Sequence, residues 1–249
     1  MITIKSQKEI DLMRHAGKIV AGAHALVGEM IKPGVTTQEL DHAVELYIRE
    51  ADAIPTFKGY GGFPNSICAS INEVVVHGIP EKRRLQDGDI ISIDIGATYQ
   101  GYVGDAAVTH GVGTISEEAE KLIRVTRESF YQGIAFAKDG YRLSDISNAI
   151  QAFVEKNGFS VVRDYVGHGV GKQMHEDPPI PNYGPKGRGP RLRQGMTLAI
   201  EPMVNIGTYD VVTLKDGWTV VTTDGKLSSH YEHTILITGT GDPELLTVI

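Results

Sequence analysis

The chain carries a loose internal repeat, and a repeat of this kind limits the folds open to it more than any other feature. Lys32-Pro33-Gly34-Val35 is matched by Lys138-Asp139-Gly140-Tyr141, each ahead of an amphipathic stretch. In these stretches Leu40, Ala43, Val44 and Ile48 correspond to Ile146, Ala149, Ile150 and Val154. Further on, His77-Gly78-Ile79 is similar to His168-Gly169-Val170. Leu85-Gln86-Asp87-Gly88 is similar to Leu192-Arg193-Gln194-Gly195, and the apolar segments that follow end in Asp94 and Glu201. Two copies are too few for a solenoid, whose units bury their faces against several neighbours. The reading is α+β: one domain over 1–249, built of two similar halves, about 1–113 and 114–249, related by a pseudo-two-fold axis.

Local signals fill in the halves. Ser6-Gln7-Lys8-Glu9 has the spacing of a capping box, in which the first and fourth residues satisfy each other's backbone N–H groups. Ile10, Met13, Ile19, Val20, Ala23, Leu26 and Val27 then make an apolar stripe. Thr36 to Glu39 opens a second helix in the same way, continued by Leu40, Val44, Leu46 and Ile48. Ser116 starts a third, with Leu122, Ile123, Val125 and Phe130. Ser144 starts a fourth, with Ile146, Ile150, Phe153 and Val154, and Asn157-Gly158 closes it. Segments 90–95, 102–109, 196–200, 219–223 and 233–237 are rich in Ile, Val and Thr and read as strands. Residues 178–193, rich in Pro, Gly and Arg, read as a long loop.

Composition excludes several classes. With 41% hydrophobic residues in 249, the chain has ample material for a core. Its 24 Lys+Arg against 31 Asp+Glu leave a net charge of −7, which argues against specific or general nucleic-acid binding as the main task. Cys68 is the single cysteine, so no internal disulfide forms and a reducing compartment suffices. Residues 1–17 mix charged with apolar positions and lack a signal peptide's apolar core. No run reaches the roughly 18 apolar residues of a membrane span. A soluble cytoplasmic protein with no membrane contact is expected.

Acidic residues inside apolar strands carry the chemistry. A hairpin centred between Tyr99 and Gln100 sets Asp94 directly opposite Asp105 on one face, with Cβ atoms roughly 4.5–5.5 Å apart. Burying two like charges among Ile91, Ile93, Ile95, Val103 and Val108 demands a compensating charge, and the neighbouring sequence offers no Lys or Arg. Glu201 ends the equivalent strand of the second half, and Glu232 begins another. His168 adds an imidazole on a glycine-rich loop. Four carboxylates with one histidine suit Mn, Fe, Co or Zn better than thiophilic metals. Bridging carboxylates leave room for two divalent ions roughly 3.5–4 Å apart.

These residues lie in motifs that resemble the type I methionine aminopeptidases over almost the whole chain. The motifs are Asn72-Glu73-Val74-Val75-Val76-His77-Gly78-Ile79-Pro80, Ile93-Asp94-Ile95-Gly96, Gly104-Asp105, Gly167-His168-Gly169-Val170-Gly171, Met174-His175-Glu176-Asp177-Pro178, Ile200-Glu201-Pro202 and Tyr231-Glu232-His233-Thr234. The resemblance implies the pita-bread fold, a curved antiparallel sheet covered by helices. It implies Asp94, Asp105, His168, Glu201 and Glu232 as ligands of two metal ions, with Asp105 and Glu232 bridging. Glu201 would also accept a proton from the attacking water. His175 would hydrogen-bond the scissile carbonyl as it becomes an oxyanion, and His77 the peptide beyond the bond. Phe57, Tyr60, Phe63, Met174 and Trp218 match the family's methionine pocket, although some relatives have Cys in place of Phe57 and Phe in place of Met174. A turn at Asp224-Gly225 would place position 232 opposite Gly217-Trp218.

The resemblance implies removal of the initiator methionine from nascent chains whose second residue is small, by a monomer. Two other functions fit the same fold: a proline-directed aminopeptidase, and a binding protein without catalysis. The basic runs 82–84 and 186–193 suggest a transient ribosome contact, with a solvated loop as the alternative.

Overall fold

Local capping chemistry starts the helices. The computed structural model describes residues 1–239 and 241–248. Helix α1 (Gln7–Met30) follows Ser6, whose backbone N–H donates to the Glu9 carboxylate at 2.8 Å. Helix α2 (Thr37–Glu50) follows Thr36, which donates to Glu39 at 2.7 Å. Helix α3 (Glu117–Ile134) begins at Ser116, whose hydroxyl accepts from Ala119 N–H at 3.2 Å. Glu117, Glu118 and Glu120 place negative charge on the positive end of its dipole.

Helix α4 (Leu143–Lys156) starts earlier than the serine signal suggests. Arg142 is its N-cap, and its backbone N–H donates to Asp145 at 2.8 Å. Ser144 instead accepts the backbone N–H of Arg188, 44 residues away, at 2.6 Å. A tertiary partner has taken the hydroxyl that a local reading gives to the cap.

The strands are β1 (Ile54–Pro55), β2 (Ile67–Ile71), β3 (Val74–Val76), β4 (Ile90–Tyr99), β5 (Tyr102–Gly111), β6 (Ser160–Val161), β7 (Gly167–Gly169) and β8 (Glu176–Ile180). They continue with β9 (Thr197–Ile200), β10 (Met203–Asn205), β11 (Val211–Thr213), β12 (Val220–Thr222), β13 (Ser228–His230), β14 (Glu232–Leu236) and β15 (Glu244–Leu245). The largest sheet runs β1-β4-β5-β14-β9-β7-β8, with β2 also on β4 and β15 on β14. Two smaller sheets run β13-β10-β6 and β11-β12-β3. Strand β8 takes the first residues of the expected 178–193 loop, which is irregular only from residue 181 onward.

Each half covers its part of the sheet with its own helix pair. Val20, Val27, Leu40, Val44 and Ile48 pack on Ile67, Ile91, Ile93 and Ile95. Leu122, Phe130, Ile146 and Ile150 pack on Leu198, Ile200 and Ile235. Leu46 is the exception in its stripe and points to solvent. Strands β5 and β14 join the two parts, with Glu232 opposite Ala107 and His233 opposite Ala106. Among the described residues no helix is long and apolar enough to cross a membrane.

The internal repeat reappears as matched hydrogen bonds. Gly34 N–H donates to Leu85 O at 2.8 Å, and Gly140 N–H to Leu192 O at 2.9 Å. Both glycines are in the left-handed region, with φ of 96° and 86°. Arg84 then donates to Gly34 O, and Arg191 to Gly140 O, at 2.6 and 2.8 Å. One arginine of each basic run therefore staples the turn ahead of α2 or α4.

The β4–β5 hairpin corrects the expected register. Its turn is Gln100-Gly101, both with positive φ (46° and 82°), which is the two-residue turn whose twist matches its strands. Tyr99 faces Tyr102, Asp94 faces Ala107 and Asp105 faces Gly96. The two aspartates are diagonal neighbours, not direct partners. A slip of two residues preserves the alternation, so both still lie on the same face.

Candidate metal centre and peptide pocket

The face of the sheet turned away from the helix pairs forms the floor of a cleft of about 180 Å³. Alternation along β4 sends Ile91, Ile93 and Ile95 to the helices and Asp94 to the cleft. Asp105 comes from β5, Glu232 from the first position of β14 and Glu201 from just beyond β9. His168 sits in β7, a buried three-residue strand, and not in the open loop expected of its glycine-rich surroundings. The cleft also contains His77, His175, Phe57, Tyr60, Phe63, Met174 and Trp218, so all twelve residues singled out from the sequence meet there.

Ligand-capable atoms of Asp105, His168 and Glu232 lie within 4.8 Å of one another. His168 Nε2 is 3.6 Å from Asp105 Oδ2 and 3.5 Å from Glu201 Oε1. Asp94 Oδ1, Asp105 Oδ1 and Glu232 Oε1 are buried without a hydrogen-bond partner. Among the described residues the ion-pair contacts of these carboxylates are to imidazoles alone. Burial raises all four carboxyl groups above the ordinary carboxylate range. The charges of Asp105 and Glu201 push Asp94 and Glu232 further up. Buried oxygens with no hydrogen-bond partner and no Lys or Arg beside them are what a divalent cation satisfies, and the oxygen-plus-imidazole donor set suits a borderline metal.

This electrostatic imbalance has a measurable signature. Carboxyl groups raised in the folded state bind more protons folded than unfolded, so their contribution to stability falls as pH rises from about 4 through the raised values. A cation must displace those protons, so its stabilisation grows over the same window. At a metal concentration 1,000-fold above the dissociation constant, Mn should raise the melting temperature of the stripped protein by about 8 °C or more at pH 7.5. At pH 5 the gain should be less than half of that. A gain independent of pH would mean that these carboxylates do not hold the ion.

His230 is the main residue that sequence reading passed over. It is buried, and its Nε2 is unpartnered, 3.9 Å from Glu201 Oε2 and 3.8 Å from Glu232 Oε2. Its backbone N–H donates to Thr109 Oγ1 at 3.0 Å, and its carbonyl accepts from the same hydroxyl at 2.8 Å. The chain crosses there from β13 in a small sheet to β14 in the large one. Its position two residues before Glu232 was the available signal.

An apolar wall adjoins the acids. Phe57, Phe63, Cys68, Met174 and Trp218 pack together, with the Phe63 and Trp218 rings edge to face at 5.2 Å. Cys68 is opposite Asp94 in the β2–β4 ladder, which is how it enters the cleft. Burial and the charge of Asp94 push its thiol well up, so it is an apolar wall residue and not a nucleophile. Trp218 arrives by a different route from the expected one. Strand β12, which follows it, pairs with β11 and β3, while β14 pairs with β5, β9 and β15. Position 232 therefore has no pairing with 217–218, and the shared cleft arises from packing one sheet against another.

Two histidines stand nearer the mouth. His175 is at the exposed rim, its Nδ1 2.8 Å from the Tyr60 hydroxyl and its ring 4.3 Å from that of His168. His77 is held at φ 59°, between Tyr165 at 5.5 Å and Trp218 at 6.5 Å. Burial lowers both imidazoles below their ordinary value, His77 to about 4, so both are neutral at pH 7.

A carboxylate-lined centre on the face of a largely antiparallel sheet is the arrangement of a metal-dependent hydrolase, and the chain belongs to metallopeptidase family M24, whose model matches residues 11–239. The methionine aminopeptidase of Clostridium perfringens (strain 13 / Type A) is 59% identical over 249 residues, covering 100% of both chains. The crystal structure of methionine aminopeptidase from Thermotoga maritima superposes with a TM-score of 0.98 at 52% identity, again over 100% of both chains. An Xaa-Pro dipeptidase from Bacillus anthracis shares the fold, with a TM-score of 0.76 at 22% identity over 98% of this chain and 61% of that one. The expected pita-bread fold is therefore the observed one.

Proposed function

We propose that this chain removes the N-terminal methionine of newly made proteins whose second residue is small, acting in the cytoplasm as a monomer whose two halves form one catalytic unit. The carrying observation is a cleft in which four buried carboxyl groups with no Lys or Arg partner adjoin a closed apolar wall. Such a cleft suits a chain end with an amine beside an apolar side chain. Methionine's thioether is well matched to the Phe57, Phe63 and Trp218 rings. Asp94, Asp105, His168, Glu201 and Glu232 would hold two divalent ions, drawn from Mn, Fe, Co and Zn. Bound there, the ions supply Lewis-acid stabilisation of developing negative charge and make water nucleophilic near neutral pH.

The protein's own groups do the rest. Glu201, which enters the cleft from just beyond β9, accepts the proton released by the attacking water. The Tyr60 hydroxyl is 2.8 Å from His175 Nδ1; donating there, it would leave the ring proton on Nε2, where it can be offered to the carbonyl oxygen as charge develops. Neutral His77 donates to the peptide beyond the scissile bond. Tyr60 and His175 crowd the rim, which favours a small second residue. A transient ribosome contact would use the exposed residues of the basic runs, Arg84 and Arg191 being engaged in turn staples.

Metal-stripped protein, titrated with Mn, Fe, Co and Zn, tests this on peptides. Met-Ala-Ser should be cleaved about 10–100 times better than Ala-Ala-Ser, the worth of burying one large apolar side chain. Faster cleavage of an Ala-Pro peptide would assign the chain to proline-directed hydrolysis instead.

A further inference from the structure

Lys5 is buried, and nothing in the chemistry above uses it. Its side chain is 6% exposed, and its ammonium lies 2.6 Å from Glu176 Oε2 and 2.5 Å from Thr3 Oγ1. The Thr3 hydroxyl donates to the same carboxylate oxygen at 2.6 Å. Glu176 Oε1 accepts the backbone N–H of Gln173 at 3.2 Å. Lys5 is itself fixed by its backbone N–H, which donates to Gly195 O at 2.8 Å, and Gly195 N–H donates to Ile237 O at 3.0 Å. The cluster is close-packed, since a Cβ on Gly171 would sit 2.5 Å from Glu176 Oε1 and 2.6 Å from Lys5 Cε.

The turn between β7 and β8 carries Met174 and His175 into the cleft, and Glu176 is the next residue. His175 is the last residue of the bend before β8, and Glu176 is the first residue of that strand. A hold on the Glu176 side chain therefore fixes the peptide from which the neighbouring imidazole leaves the backbone. A buried ion pair contributes little net stability compared with apolar replacements, and fixing one geometry is the better-founded reason to keep it.

Resting on the peptidase reading above, we propose that Lys5 is a positioning residue for His175: its ammonium seats Glu176 and thereby sets the angle at which the His175 ring faces the scissile carbonyl. Lys5→Met keeps the volume and removes the charge. With Met-Ala-Ser as substrate it should lower kcat about tenfold and leave KM within about twofold. In a His175→Ala background the same substitution should have no further effect on kcat, because the ring it positions is gone. In metal-free protein, the ring nitrogen resonances of His175 should shift on Lys5→Met, a readout that needs no turnover. Should Lys5→Met fail to fold, Glu176→Gln carries the same cycle, and failure of both would make the pair merely structural. An equal loss of kcat in both backgrounds, or no loss and no shift, would overturn the proposal. Absence of cleavage by the unaltered protein with every metal would instead overturn the peptidase reading, leaving the resonance shift to decide the role of Lys5.

Discussion

Asp105→Asn is expected to lower kcat/KM for Met-Ala-Ser by about a thousandfold or more and to abolish calorimetric binding of Mn, while the protein stays folded. Asparagine copies the shape of the side chain and withholds its charge. Asp105 is 2% exposed, with one oxygen unpartnered and the other 3.6 Å from His168. It lies between Asp94 on β4 and Glu232 on β14, so removing its charge weakens the site from the centre. Metal ions supply several kcal/mol of charge stabilisation, and each 1.36 kcal/mol is tenfold in rate. The fold should survive because the backbone of Asp105 is held separately: its N–H donates to Thr234 Oγ1 at 3.1 Å, and its carbonyl accepts from that hydroxyl at 2.9 Å. Metal-free Asp105→Asn should melt at or above the temperature of the metal-free parent, since one buried charge is gone. Near-parental turnover, or a lower melting temperature without metal, would contradict the electrostatic account.

The second large effect is expected from His175→Ala, a fall in kcat of about 10²–10³ with a small change in KM. Losing one preorganised donor to an oxyanion costs about 2.7–4 kcal/mol, and that loss falls on the transition state. The position is exposed at the rim, so the fold is not at risk. Tyr60→Phe serves as the companion measurement. It leaves the His175 ring in place but frees Nδ1, 2.8 Å from the lost hydroxyl, so the ring can take the tautomer that has no proton to offer. Tyr60→Phe should therefore lower kcat to a lesser extent, by about tenfold, which corresponds to about 1.4 kcal/mol. A rise in KM with unchanged kcat in either variant would place the residue in substrate binding and not in catalysis.

Which features were legible in the sequence follows the range of the forces involved. Three helix starts were readable because capping joins residues three apart, and Ser6, Thr36 and Ser116 need no distant partner. The fourth was displaced because Ser144 is engaged by Arg188 from a remote loop. The hairpin was readable in its face but not in its pairing. Alternation is a property of the strand, while register belongs to the turn, and here Gln100 and Gly101 both take left-handed backbone. Trp218 was placed in the cleft by family resemblance and not by the strand pairing first supposed, since β12 joins β3 in a separate sheet.

The spacing of residues by itself determined the apolar stripes, most of the strands, and a set of acids in apolar segments with no Lys or Arg beside them. Those properties depend on periodicity, capping and charge, which act within a few residues. Tertiary structure alone decided that Glu201 and Glu232 converge on His230, and that Lys5 reaches Glu176 across 171 positions. It also decided that Tyr60 meets His175 across 115. Each such contact requires two distant stretches to be set to within an ångström or so, and only the joint packing of helices and sheets fixes a distance that closely.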